Sequence, residues 1–128
     1  MPKMDNPETY RVVYVEPGKP ACEKEIGRDL ESLQAAVGGG LIECVYCHSD
    51  DTILVCNDEG KLLGMEGNRR ISAGDIIAGP FFVIGSAGEN LRSLTDAEVS
   101  KYVQEYAQPQ QIHQEEVQAN MGWTFHVF

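Results

Sequence analysis

Turn-forming clusters cut this chain into short pieces. Pro17-Gly18-Lys19-Pro20, Gly38-Gly39-Gly40, Ser49-Asp50-Asp51, Asn57-Asp58-Glu59-Gly60 and Gly79-Pro80 each interrupt a run of side chains. Glycine reaches backbone conformations other residues resist, proline lacks an amide donor, and Asn and Asp bond back to their own backbone. What lies between is short and patterned. Arg11 to Glu16 is β-branched and aromatic and reads as a strand, with Ala21 to Ile26 returning beside it as a hairpin. Leu30, Leu33 and Val37 fall on one helical face, which predicts a helix over about 29–37 that the three glycines stop. Leu41 to Cys47 and Thr52 to Cys56 read as a second pair of strands. Lys61 to Gly64 resumes extended structure, and the apolar run Asp75 to Ile84 bends or bulges at Gly79-Pro80.

The best-specified element is the second helix, about 96–106. Thr95-Asp96-Ala97-Glu98 is a capping box, Leu94 and Val99 are placed as a hydrophobic staple, and Val99, Tyr102, Val103 and Tyr106 make one apolar stripe. The order is then β-β-α-β-β-β-α plus a C-terminal strand, an α+β fold with a mostly antiparallel sheet. Residues 1–106 read as one domain. Residues 107–128 read as a glutamine-rich linker or short polar helix, then an alternating stretch with Trp123, Phe125 and Val127 on one face. Such a strand could add to the sheet edge of a neighbouring copy, making a homo-oligomer.

Cys44-Val45-Tyr46-Cys47-His48 matches the attachment pattern of c-type haem, and with Cys56 it offers ligands for zinc. Strand geometry argues against both. Cys44 and Cys47, three apart, point to opposite faces. With a turn at His48 to Asp51, Glu43 lies opposite Cys56 and Cys47 opposite Thr52, leaving the thiols too far apart for one metal. No cofactor and no metal is expected.

The 20 acidic and 10 basic residues give a formal net charge of -10. That repels phosphate backbones and counts against nucleic-acid binding. It serves solubility, or it suits docking on a basic partner surface. No stretch approaches the ~18 apolar residues of a membrane span. Met1 to Val13 holds no apolar run of signal-peptide length, so the expected location is the cytoplasm.

No nucleotide-binding loop, nucleophile elbow or zinc-hydrolase motif is present, and the chain is not expected to be an enzyme. His113 and Glu116 share a helical spacing but suit a solvated tail. Two further stretches are candidate ligand or partner sites: the turn with Asn57 and Glu59, and the glycine-bracketed loop Gly64 to Ile71, where Asn68, Arg69 and Arg70 could clamp an anion. The same arginines could instead pair with local acids.

The stretches VYVEPGKP, LESLQAAVGGGLIECVY, LVCNDEGKLLGMEGNRRI, DIIAGPFFVIG and SLTDAEVSKYVQEY resemble domain-of-unknown-function family 3846 in order and spacing, over about Arg11 to Tyr106. That family comprises small proteins common in phages and conjugative elements, and its pattern does not typically carry cysteines where Cys44 and Cys47 stand. The resemblance implies an accessory protein of a mobile element and no activity. The expectation is a non-catalytic protein of the host bacterial cytoplasm that binds and antagonises a defence component with a basic surface, or its phosphate-bearing signalling nucleotide. A regulatory or assembly module is the alternative.

Overall fold

The computed structural model describes residues 8–71 and 74–121. β1 (Thr9–Val15) and β2 (Cys22–Gly27) form the hairpin that alternation predicts. α1 (Leu30–Ala36) is capped by Asp29, whose side chain accepts from the Ser32 amide at 3.0 Å, and it stops where Gly38, Gly39 and Gly40 all take positive φ. β3 (Ile42–Val45), β4 (Thr52–Asn57), β5 (Gly67–Arg70), β6 (Ile76–Ala78), β7 (Phe81–Ala87) and β8 (Asn90–Arg92) follow, then α2 (Asp96–Glu105) and α3 (Gln114–Met121). The fold is α+β, and every strand pairing is antiparallel.

The main sheet runs β2-β1-β7-β4-β3, with β8 paired to the far end of β7. The apolar run at Phe81 to Ile84 is explained by its place at the sheet's centre, where all four side chains are fully buried. Val13, Val15, Leu54, Cys56, Phe81 and Val83 face α2, and Val12, Ile26, Ile53, Val55, Phe82 and Ile84 face α1. Burying each such side chain contributes about 1.5–3 kcal/mol. β5 and β6 form a separate two-stranded sheet on the α2 side, where Ile77 joins the core. Gly79, at φ 85°, makes the bend that sends the chain from this small sheet into β7.

α2 forms as its capping box predicts. The Glu98 amide donates to Thr95 Oγ1 at 3.2 Å, and the Thr95 amide donates to Glu98 Oε1 at 2.9 Å. Val99, Tyr102 and Tyr106 are buried, with Val103 at their margin. The register of β3 and β4 is also as expected, with Glu43 opposite Cys56.

Four readings are corrected. Lys61 to Gly64 is a turn, because the Asn57 side chain captures the Glu59 amide at 2.8 Å and closes the chain before extended structure resumes. Gly64 to Ile71 is no loop, since Gly67 to Arg70 is strand β5. Leu30, the first residue of α1, stays 59% exposed instead of joining Leu33 and Val37. Residues 107–121 are not a bare linker: the short polar helix, the other reading of this stretch, forms as α3 and covers the small sheet, with Ile112 and Val117 packed on Ile76 and Ala78. Gly67 permits the close approach, for a Cβ there would lie 2.8 Å from Ile112 and 2.9 Å from Val117. Met121 closes α3, and the rest of the expected terminal strand, 122–128, lies outside the described residues. Among the described residues no helix is long and apolar enough to cross a membrane.

Candidate functional site

Asn57 ends β4 with its side chain fully engaged. Nδ2 donates to the Val37 and Gly39 carbonyls at 3.1 and 2.6 Å, and Oδ1 accepts the Glu59 amide. It ties the end of α1 to the following turn, a structural role, and the residue also lines the cleft described next. Glu59 differs, for its carboxylate stands exposed on the rim of a cleft that the turn helps to enclose.

That cleft, of about 530 Å³, lies between the β3 edge of the main sheet, the turn after β4, β6 and Asn120 of α3. Its size is within the range of ligand-binding pockets, roughly 300–1,000 Å³. Val45, Cys56, Ile77 and Ala78 supply an apolar floor; Glu43, Asp58, Glu59 and Asp75 supply carboxylates. Lys61 is the cation of the lining, and it is occupied: Nζ donates to Asp75 Oδ1 at 2.8 Å and to Asn120 Oδ1. Among the described residues, no ion pair engages Glu43, Asp58 or Glu59. Burial pushes the Glu43 carboxyl up, Asp58 and Asp75 push it the same way, and Lys61 opposes them. A cation entering here would relieve that repulsion. Burial, with Glu43 close by, also pushes the Cys56 thiol up to about 12. Cys56 is therefore a protonated floor residue at neutral pH and a poor nucleophile.

The structure separates Asn68, Arg69 and Arg70, so the three do not form one anion clamp. Alternation along β5 turns Arg69 inward and Arg70 outward. Asn68 is buried and donates to the Val15 and Gly79 carbonyls, each at 2.9 Å. The Arg69 guanidinium is wholly buried and donates to the Lys19 and Tyr106 carbonyls at 2.7 and 2.8 Å and to Asn68 Oδ1 at 2.8 Å. Its Nε has no hydrogen-bond partner among the described residues. Arg70 is exposed but spoken for: Glu116 accepts from Nε and Nη2 at 3.0 and 2.7 Å. Glu116 thus belongs to a pair that holds α3 down, not to a bare solvated tail.

Sequence reading missed a second polar constellation. His48 bridges Thr52 and Tyr106, with Nδ1 3.0 Å from Thr52 Oγ1 and Nε2 2.9 Å from the Tyr106 hydroxyl. Thr52, Tyr102 and Lys101 all donate to Asp50. Burial pushes the Asp50 carboxyl up, but these hydrogen bonds together with the Lys101 charge outweigh it and hold the group well below the usual carboxylate range. Burial lowers the His48 pKa, so the ring is neutral at neutral pH. The donor order follows: Tyr106 to His48 Nε2, His48 Nδ1 to Thr52, Thr52 to Asp50. The cluster pins α2 to the β3–β4 turn, beside a smaller cavity of about 220 Å³. With its groups satisfied by one another, it is a fastening.

Cys44 and Cys47 face opposite sides of the sheet. Cys47 packs on the α2 side, whereas Cys44 lies opposite Val55, which faces α1. Among the described residues no three His, Cys, Asp or Glu groups converge as metal ligands.

A family model described as a domain of unknown function (DUF3846) matches residues 10–107. No curated protein and no solved structure matches the chain.

Proposed function

Since the chain belongs to the DUF3846 family, whose description assigns no activity, we propose from its residues that it is a non-catalytic binding protein whose acidic cleft receives a lysine or arginine side chain of a partner protein. The observation that carries this reading is the cleft's make-up: carboxylates of Glu43, Asp58 and Glu59 that no ion pair engages among the described residues, over an apolar floor. Lysine and arginine need both parts, since they lay an aliphatic stem on apolar surface while the charged head meets carboxylates. The net charge of -10 adds long-range attraction for a basic surface. The non-catalytic reading draws support from Cys56, kept protonated, and from the His48 cluster, whose groups spend their hydrogen bonds on one another. The engagement of Arg69 and Arg70 favours a basic protein over a phosphate-bearing ligand.

The setting we propose is that of a mobile-element accessory protein acting in the bacterial cytoplasm on a basic surface of a host defence component. A regulatory or assembly role would use the same cleft. The test is a titration with an acetylated, amidated Gly-Lys repeat peptide, followed by amide chemical shifts, with a Gly-Glu peptide as control. Shifts should centre on Glu43, Asp58 and Ile77 and vanish in the triple variant Glu43→Gln, Asp58→Asn, Glu59→Gln. Shifts scattered over the acidic surface and indifferent to the triple variant would sink the proposal.

A further inference from the structure

The two edges of the main sheet are built differently. β2 presents Glu23, Lys24 and Glu25 in succession, and alternating charge is one way sheets discourage strand addition. β3 presents Ile42-Glu43-Cys44-Val45, with a single charge and no lysine or proline. Its backbone is also poised. The Asp58 amide donates to the Leu41 carbonyl at 2.9 Å, which makes Leu41 and Asp58 a hydrogen-bonded pair. Antiparallel ladders alternate, so Glu43–Cys56 and Val45–Leu54 are the next bonded pairs in the observed register. The N–H and C=O groups of Ile42 and Cys44 therefore point away from β4, to an edge that no other strand pairs among the described residues.

The same edge borders the cleft. Glu43 and Val45 point into it, while Ile42 packs toward α1. Leu41 and Tyr46, at the two ends of β3, are 64% and 76% exposed, and Leu62, in the cleft wall, is 67% exposed. Apolar side chains exposed along an open strand edge suit a surface that another chain covers.

We propose that the free edge of β3 takes an antiparallel strand from a partner protein, an extended segment of alternating basic and apolar residues whose basic side chains enter the acidic cleft. An added strand lies about 4.8 Å from β3, and a residue opposite Glu43 projects to the same face with its Cβ about 5 Å away. A lysine there reaches Glu43, Asp58 and Glu59. Residues opposite Ile42 and Cys44 make the backbone bonds and turn apolar side chains toward the α1 face. The inference rests on the cleft reading above and adds the mode of attachment.

The experiment uses the full-length protein, amide exchange at Ile42 and Cys44, and the peptide acetyl-(Val-Lys)3-Val-amide. Without peptide both amides should exchange freely; with it they should slow at least ~10-fold, as for a covered strand edge. Glu43→Gln should weaken binding ~10-fold, the loss of one charge-assisted contact. A copy of the peptide N-methylated on its valines should not bind, because those amides face β3. Protection before peptide is added overturns the proposal: concentration-dependent protection assigns the edge to a second copy, and concentration-independent protection to a segment of the chain itself. Binding that follows Glu43 but leaves both amides unprotected also overturns it, while the cleft reading survives. Binding of neither this peptide nor the Gly-Lys peptide ends both.

Discussion

Replacing Arg69 tests how the cleft's surroundings are held together. Its guanidinium is fully buried, no carboxylate among the described residues pairs with it, and burial lowers its pKa. What stabilises the charge is a set of carbonyls, among them that of Tyr106 at the C-terminal end of α2, where the helix dipole is negative. Each hydrogen bond to a charged group contributes about 1.5–3 kcal/mol, and desolvating the cation costs several kcal/mol in return. Arg69→Ala removes the donors from Lys19, Tyr106 and Asn68 together and leaves a void. We expect a loss of about 3–5 kcal/mol, near the cost of stranding buried polar partners. Arg69→Met fills the void and removes the desolvation cost, so it should lose only about 1–3 kcal/mol. Urea unfolding followed by circular dichroism measures both. If Arg69→Met matches or exceeds the parent in stability, desolvation outweighs the hydrogen bonds and the reasoning fails.

Thr95→Ala should cost ~1 kcal/mol through loss of the N-cap acceptor, read as a lower urea midpoint. Val117→Ala should cost about 1–3 kcal/mol by opening a void under α3, and it should raise amide exchange in that helix; an unchanged midpoint would mean α3 contributes nothing. Acid should destabilise the protein in two stages. His48 is held neutral below its ordinary pKa, so the unfolded chain binds its proton first, and stability falls as pH drops through about 6.5. The depressed Asp50 acts the same way below about pH 4; His48→Gln should flatten the first stage and leave the second. A thiol reagent should label Cys22 and Cys44 in the folded protein and reach Cys56 only on unfolding, and rapid labelling of all four would contradict the packing described.

What was legible in the sequence depended on how local each signal is. The α2 start could be read because Thr95 and Glu98 bond to each other three residues apart. The β3–β4 register followed from a short turn between alternating strands. Strand β5 was hidden because the residues that make it a strand are distant: β6, the buried carbonyls that hold Asn68 and Arg69, and α3 packed on Gly67. Asn57 and Glu59 look alike as turn residues, yet one points inward to α1 and the other to solvent. The cleft joins Glu43, Ile77 and Asn120 from three separate parts of the chain, so no motif announces it. The strand β8, read as nothing in the sequence, is a three-residue return across Gly88-Glu89 and too short for periodicity to show.

The central claim is that a basic group sits among the cleft carboxylates, and Glu43 reports on it directly. Its side-chain carboxyl resonance, followed against pH in the free protein, should titrate above the ordinary glutamate range, because burial and the neighbouring Asp58 and Asp75 disfavour its charge. Saturating Gly-Lys peptide should move that titration to lower pH, since a cation beside a carboxylate favours the ionised form. If the peptide binds and the Glu43 titration does not move, the basic group lies elsewhere and the account is wrong.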